Sequence, residues 1–416
     1  LGKTKPFGIS KDLFVQAYKL VKANAGAAGI DKESLEDFSK NLKGNLYKLW
    51  NRMSSGSYYP PAVKAVPIPK KSGGERILGV PTVSDRIAQT VVKLTFEPCV
   101  ESYFLPDSYG YRPNKSALDA VGITRQRCWQ YNWVIEYDIR GLFDNLDHQL
   151  LMKAVKKHTD NKWVILYIER WLVTPMQMPD GSLQQKTRGV MQGGVISPVL
   201  SNLFLHYVFD IWMKKNYPTV PWCRYADDGL AHCNTEKEAK QLLDSLSNRF
   251  KECGLEFHPD KTKIVYCKDG SRQKDYQNKS FDFLGYTFRS RPCKNTKRNS
   301  MFMNFTPAVS KLALKSMRAT IRMDDMRNRT DLNLDDISRW YNPKLQGWLN
   351  YYGKYSRSAL YPVWRHFNKT LVAWARKKYK SLQGHKTKAG RFIERISKEQ
   401  PNLFVHWRAG MQGAFV

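Results

Sequence analysis

The sequence predicts an α+β protein: a region that mixes short strands with helices, followed after about Met303 by an all-helical and strongly basic C-terminal region. Three observations carry this. Runs rich in β-branched and aromatic residues, bounded by turn residues, recur between helical stretches at 63–78, 133–139, 222–233, 263–267 and 281–288. Beyond them, Val363, Trp364, Phe367, Leu371 and Trp374 fall on one face of a helix, with Arg365, Lys369 and Arg376 mostly off that stripe. The charge is also uneven. The chain carries 68 Lys and Arg against 37 Asp and Glu, a net +31, and residues 341–416 alone hold fifteen basic residues against Glu394 and Glu399.

The elements follow in order. Leu13, Phe14, Ala17, Leu20 and Val21 give residues 11–22 a helical face, closed by the small-residue loop 24–29, and a second helical run covers 35–53. Residues 63–78 read as two strands joined by a turn at Gly73-Gly74, with cations on both flanks. Ser84-Asp85 is placed to cap the next helix, whose apolar face is Ile87, Val91 and Leu94. Residues 133–139 form a strand that reaches Asp138, and helical stretches continue to about Trp171. Gly193-Gly194 make a glycine loop that opens a helix over 199–213. Residues 222–225 and 230–233 read as strands, with Ala226-Asp227-Asp228-Gly229 as their hairpin turn. Thr235 and Glu238 form a capping box before the helix bearing Leu242, Leu243, Leu246 and Phe250.

Composition narrows the function. The 416 residues suffice for two to three domains, and a chain 42% hydrophobic and 25% charged is too apolar to be disordered. A surplus of +31 repels itself in the compact state and calls for a polyanion, either nucleic acid or an acidic membrane surface. No apolar run approaches the ~18 residues of a spanning helix, which excludes an integral helical membrane protein. The seven cysteines (99, 128, 223, 233, 253, 267, 293) are odd in number and never in C-x-x-C spacing, which argues against a disulfide scaffold or a zinc knuckle. A reducing cytoplasm is the expected compartment, and the polar opening Leu1-Gly-Lys-Thr-Lys5 carries no secretory signal.

Within this basic chain, three acids stand out. Asp138 ends a strand, and Asp227 and Asp228 sit in a tight hairpin. Brought to one sheet edge they would supply the oxygen donors that Mg²⁺ prefers, and two such ions about 3.5–4 Å apart suit an in-line phosphoryl displacement. Asp-Asp-Gly is also an ordinary solvated turn, so the pair alone does not decide.

The tetrad Tyr225-Ala226-Asp227-Asp228 resembles the Y-x-D-D box of reverse transcriptases, and the other blocks of that family stand in the same order. Asp138-Ile-Arg-Gly-Leu-Phe143-Asp-Asn-Leu-Asp-His resembles the first catalytic block, Gln192-Gly193-Gly194-Val-Ile-Ser197-Pro198 the Q-G-x-x-x-S-P block, and Phe283-Leu284-Gly285 the primer-grip hairpin. Ile68-Pro-Lys70 through Arg86, with Gly73-Gly74-Glu-Arg76, resembles the fingertip block. Asp107-Ser-Tyr-Gly-Tyr-Arg-Pro-Asn114 and Leu345-Gln-Gly347-Trp-Leu-Asn-Tyr-Tyr352 follow the pattern of group II intron reverse transcriptase/maturases. Met191 stands where the family usually has Pro, and Ala226 is the usual variable residue of intron-encoded members.

The resemblance implies a right-hand polymerase: an N-terminal extension and fingers with part of the palm over 1–125, a palm with an antiparallel sheet over 126–305, a helical thumb or maturase domain over 306–383, and a basic tail over 384–416. It implies RNA-directed DNA synthesis with two Mg²⁺ ions, Mn²⁺ being a substitute. Asp138, Asp227 and Asp228 would be catalytic and metal-binding, with the Ile139 carbonyl as a further ligand. Lys70, Arg76, Phe143, Gln192 and Lys261 would contact the dNTP, Phe143 as a steric gate against a 2′-hydroxyl. Phe283, Leu284 and Gly285 would grip the primer.

The implied partners are an RNA template with a DNA primer, dNTPs, target DNA and the parent group II intron RNA, whose splicing and mobility the protein would assist, with no membrane partner. Arg376, Lys377, Lys378 and Lys380 form the densest cationic run of the C-terminal region and are the expected RNA contacts. The setting expected is a bacterial cytoplasmic ribonucleoprotein, nucleoid-associated during mobility. No paired cysteines or His-Asn-His cluster follow Trp407, so a member without the H-N-H endonuclease domain is expected. Two rival readings are a related enzyme of CRISPR adaptation, phage defence or DNA repair, and an RNA-binding splicing factor without polymerase chemistry.

Overall fold

Among the described residues of the computed structural model, which are 5–69, 74–295, 298–413 and 415, the β-rich runs form eleven strands. They are β1 (Val63–Pro69), β2 (Glu75–Val80), β3 (Trp133–Asp138), β4 (Met176–Gln177), β5 (Leu183–Gln184), β6 (Trp222–Tyr225), β7 (Asp228–Cys233), β8 (Lys263–Tyr266), β9 (Ser280–Phe283), β10 (Tyr286–Asn295) and β11 (Ser300–Val309). The chain divides into two units, Leu1–Ala120 with Ile135–Lys263, and Val121–Val134 with Ile264–Val416.

In the first unit β1 and β2 pair antiparallel from Lys64↔Val80 to Pro69↔Glu75, in a sheet of order β2-β1-β4-β5. A second sheet joins β6, β7 and β3 in that order, with β6 and β7 antiparallel from Trp222↔Ala231 to Tyr225↔Asp228. Ile135 and Tyr137 of β3 are buried, as are residues 229–233 of β7, so successive side chains of β7 are buried on both faces. The Tyr137 ring lies 5.3 Å from Phe209 and 5.1 Å from Phe257, centroid to centroid, tying the strand to the elements behind it. Met191, at the usual Pro position, is buried with Val63, Ala65 and Met176 and fills that small core.

Several local expectations change. The cap of the helix Val83–Glu101 is Thr82, whose hydroxyl accepts from the Asp85 backbone N–H at 3.1 Å, and Asp85 lies inside the helix, fully buried. The expected helix over 35–53 divides into Leu35–Lys40 and Leu42–Ser54 because Asn41 leaves helical geometry (φ −125°, ψ 49°). The helix after the glycine loop starts earlier, at Ser197-Pro198, since Pro suits a first turn, and passes through a π-helical turn at His206–Asp210. Strands also continue past Met303, to Val309. Pro292 and Pro307 hide the long β10–β11 hairpin in the sequence. Both are tolerated because β11 is an edge strand and β9 pairs with β10 only from Tyr286 to Arg289.

In the second unit β9, β10 and β11 form a sheet of order β11-β10-β9, and the helices Lys311–Met323, Leu334–Tyr352, Tyr361–Lys378 and Lys386–Glu399 enclose a core built on Tyr341, Trp364, Phe367, Leu371 and Trp374. The aromatic stripe is therefore packing. Residues 384–416, expected as a basic tail, fold into the same core: Ala389, Ile393, Phe404 and Trp407 are wholly buried in it. The fully buried Asn368 accepts at one oxygen from the Trp407 indole N–H at 3.0 Å and lies 2.6 Å from His406 Nε2, which pins this segment. The basic residues misled because they occupy the outer face of a strongly amphipathic helix, Lys386–Glu399.

Candidate active site

Asp138 is the last residue of β3, and its carbonyl accepts from the His258 backbone N–H at 2.8 Å. Ile139 is buried and bridges Phe257, which fixes the chain just after the carboxylate. In the β6–β7 hairpin Tyr225 pairs with Asp228, so the two-residue turn is Ala226-Asp227, and Asp228 and Gly229, expected in the turn, belong to β7. Ala226 holds the left-handed conformation (φ 57°) that such a turn demands. Gly229 has no freedom to be anything larger, because a Cβ there would overlap the Tyr137 ring.

Under the hairpin lies a buried polar cluster. The Arg224 guanidinium donates to Asp210 Oδ1 and Oδ2 (2.8 and 2.7 Å), Asn202 Oδ1 (3.0 Å), Ser108 Oγ (2.9 Å) and the Ala226 carbonyl (3.2 Å). Arg224 and Asp210 are both fully buried. The carbonyl next to Asp227 is thus held by a guanidinium that cannot move without breaking a buried ion pair.

The three carboxylates come together. Burial first, then the Asp227 charge, then Asp138 through its charge and a hydrogen bond, push the Asp228 carboxyl up to about 7. Burial and the Asp138 charge raise Asp227 as well. The Lys261 ammonium sits 2.8 Å from Asp138 Oδ2, and this hydrogen bond raises its own proton affinity. Lys261 is therefore a countercharge within the carboxylate group. Among the described residues no group of three or more His, Cys, Asp or Glu side chains is arranged as a ready-made metal site. The donor set nonetheless fits a hard cation: every donor is an oxygen, and the crowded carboxyls carry a repulsion that a divalent ion relieves.

Other expected residues border this group. Arg76 is exposed on β2 and lies close enough to influence Tyr111, which also feels Asp227 and Asp228. Phe143 is half-buried in the short helix Leu142–Asn145, and its carbonyl accepts from the Val190 N–H at 2.6 Å. Gln192 Nε2 approaches Asp144 Oδ2 at 3.4 Å. Arg76, Asp144, Lys186, Arg188 and Gln192 share the lining of one cavity of about 550 Å³. Burial lowers the proton affinity of Lys186, with Asp144 opposing. Lys70 lies outside the described residues.

In the second unit Phe283 ends β9, and Leu284-Gly285 form the β9–β10 turn, both at positive φ (51° and 79°). The Leu284 carbonyl accepts from the Tyr351 hydroxyl at 2.8 Å, so the turn is fastened to the end of the helix Leu334–Tyr352. The basic run divides. Lys378 Nζ donates to the Thr330 and Leu332 carbonyls (2.9 and 2.8 Å) and Lys377 Nζ to Asn328, which leaves Arg376 and Lys380 as the members not spent on that loop. A second cationic face, which the sequence reading missed, lies on Lys311–Met323: Lys311, Lys315, Arg318 and Arg322 recur at four, three and four in a helix with no acid.

Sequence reasoning also missed Arg224 with Asp210, Tyr111 and the buried pair Asp85–Gln89. Tyr111 adopts φ 58° beside the carboxylates, an uncommon conformation for a bulky residue. One signal was available for Arg224, a lone cation inside an otherwise apolar and aromatic strand run.

The description "Reverse transcriptase (RNA-dependent DNA polymerase)" matches residues 68–288, and "Group II intron, maturase-specific domain" matches 314–391. Protein YkfC of Escherichia coli strain K12 is 32% identical over 306 residues, 63% of this chain and 74% of that protein. Group II intron-encoded protein LtrA of Lactococcus lactis subsp. cremoris is 25% identical over 437 residues, 82% of this chain and 69% of that protein. The structure of telomerase from Candida albicans with a fragment of telomeric RNA overlays 92% of this chain and 69% of that chain at 13% identity and a TM-score of 0.45. With the Y-x-D-D hairpin beside Asp138 and both domains matched in order, the chain belongs to the reverse transcriptase family, as an RNA-directed DNA polymerase joined to a group II intron maturase domain.

Proposed function

We propose that Asp138 and Asp227 hold two Mg²⁺ ions, with Asp228 and the Ile139 carbonyl completing the site, and that the chain extends a DNA primer on an RNA template. Reverse transcriptases act with divalent metal ions, and when bound these acidify the primer 3′-hydroxyl and neutralise the departing pyrophosphate. The residues of the chain supply the rest. Arg76 grips the triphosphate, a task suited to a planar guanidinium, with Lys70 as its partner. Gln192 borders the incoming nucleotide, and the Phe143 ring fills the space a 2′-hydroxyl would need. Lys261, paired with Asp138 at 2.8 Å, would be free to meet the phosphates once a cation occupied that carboxylate. Phe283, Leu284 and Gly285 steady the primer.

The single observation that carries this reading is the meeting of Asp138, Asp227 and Asp228, with the Asp228 carboxyl raised by burial and by its neighbours. In the second unit the cations of Lys311–Met323, with Arg376 and Lys380, support intron RNA as the maturase partner. Primer extension by Asp138→Ala and Asp227→Ala tests the reading. Loss of extension in both with RNA affinity retained is expected, and wild-type-like extension by either would falsify the metal-site assignment.

A further inference from the structure

The loop Gln192-Gly193-Gly194 is held from two sides inside the first unit. On one side the Gly79 N–H of β2 donates to the Gln192 carbonyl at 2.7 Å. Gly193, at φ 106°, lies so close to the Gly79 carbonyl that a Cβ would collide with it. On the other side, Gln89 of the helix Val83–Glu101 accepts at Oε1 from the backbone N–H groups of Val195 (2.7 Å) and Ile196 (3.3 Å). Gln89 is buried, and its amide is orientated by Asp85: Nε2 donates to Asp85 Oδ2 at 2.9 Å. Asp85 Oδ1 is in turn fixed by the Tyr58 hydroxyl and the Trp171 indole N–H, both at 2.8 Å.

The chemistry of this chain of bonds is directional. A primary amide presents an acceptor on one side and donors on the other. Val195 and Ile196 offer only N–H groups, so Gln89 must turn its oxygen to them and its nitrogen to Asp85. A carboxylate, which accepts at both oxygens, is the side chain that enforces that choice while also receiving Tyr58 and Trp171. Were residue 85 a donor toward Gln89, the amide would flip and aim N–H at N–H.

We propose that Gln89 is a positioning residue for nucleotide binding, and that Asp85 acts through it by setting the direction of its amide. The pair holds the Gln192 loop at the depth at which Gln192 meets the incoming dNTP. This deepens the reading of Gln192 given above and rests on it.

The polarity can be exchanged. In Asp85→Asn, Oδ1 keeps Tyr58 and Trp171 but the new amide nitrogen confronts Gln89 Nε2. In Asp85→Asn/Gln89→Glu, the amide at position 85 donates to one oxygen of the carboxylate at position 89, and the other oxygen still accepts from Val195 and Ile196, with the total charge unchanged. Steady-state dNTP incorporation on an RNA template with a DNA primer reads the outcome, active enzyme being counted by a single-turnover burst. Gln192→Ala is the control for the underlying reading, and its KM for dNTP should rise.

If that KM does not move, the assignment of Gln192 fails, and the proposal with it. If it rises, Asp85→Asn and Gln89→Leu should each raise KM for dNTP about tenfold or more, as misplacement of a binding group by a fraction of an ångström does. The double exchange should return to within about threefold of wild type. Should Asp85→Asn lower only the fraction of active enzyme, at unchanged KM, the pair merely supports the fold and the proposal is overturned. Should the single variants fold too poorly to assay, the double exchange still decides. Wild-type KM in a soluble double variant upholds the donor–acceptor logic, and a KM as high as that of Gln192→Ala refutes it.

Discussion

Replacing Arg224 by Met isolates the buried cluster beneath the hairpin. The guanidinium donates five hydrogen bonds, two of them to Asp210, and neither partner of that pair touches solvent. Burial alone would raise the Asp210 carboxyl, but the Arg224 charge and hydrogen bonds outweigh it and hold the group below its ordinary range. Met leaves that carboxylate buried with only His206, 3.7 Å away, as a companion of opposite sign when protonated. Removing one partner of a buried pair costs about 3–5 kcal/mol, whereas replacing both by apolar residues is often neutral. Arg224→Met should therefore destabilise the first unit by about 3–5 kcal/mol, and Asp210→Leu/Arg224→Met should recover most of it. Native-state hydrogen exchange over β6 and β7 measures this. At about 1.4 kcal/mol per decade, the slowest amides should exchange about two to three and a half decades faster in the single variant. Primer extension should stay low in both variants, because the Ala226 carbonyl beside Asp227 has lost its donor in each. Protection within a factor of about ten of wild type in Arg224→Met, or full activity in the double variant, would refute the reasoning.

Four further outcomes follow. Phe143→Ala should raise rNTP incorporation relative to dNTP by the ~1–3 kcal/mol that apolar pocket contacts supply. An unchanged ratio with dNTP activity intact makes Phe143 a packing residue. Changing Lys311, Lys315, Arg318 and Arg322 to Gln should flatten the salt dependence of RNA affinity by ~0.7–0.9 log units per lost phosphate contact and decade of salt. Lys377→Gln/Lys378→Gln should instead lower thermal stability with a smaller change of slope, since both ammoniums are tied to the 328–332 loop, and filter binding at several salt concentrations separates the two. Burial holds the His406 imidazole neutral, its pKa lowered from 6.5 to about 3. The unfolded chain takes up a proton that the folded chain refuses, so this contribution is complete above pH 6.5 and is lost as the pH falls toward 3, at about 1.4 kcal/mol per unit. Denaturant midpoints of the second unit between pH 7 and 4 should fall less steeply in His406→Asn, and identical slopes would contradict this.

The parts legible in the sequence are those that local spacing determines. Asp138, Asp227 and Asp228 stand at strand ends and in a turn, where a period-two run meets Gly or Asp, and in the structure they lie close enough to influence one another. The helical C-terminal core was equally visible in the spacing of Trp364, Phe367 and Trp374. What escaped is long-range. Gln89 reaches residues more than a hundred positions away, and nothing near it in sequence marks it as other than a helix residue. Arg224 looked like a strand cation until burial gave it Asp210. Residues 384–416 looked like a tail because their charge is continuous, whereas their apolar residues recur only once per turn. Lys261 was read as a phosphate contact, and its 2.8 Å ion pair with Asp138, 123 positions away, was not foreseen.

The most direct test of the central claim is the location of Mn²⁺ by anomalous scattering in crystals of the protein with an RNA template, a DNA primer lacking its 3′-hydroxyl, and a dNTP. The account predicts two peaks ligated by both Asp138 and Asp227, the Phe143 ring against the sugar, and the Lys261 ammonium withdrawn from its 2.8 Å contact with Asp138. A bound dNTP with no Mn²⁺ on either carboxylate, or with Lys261 still paired to Asp138, would contradict it.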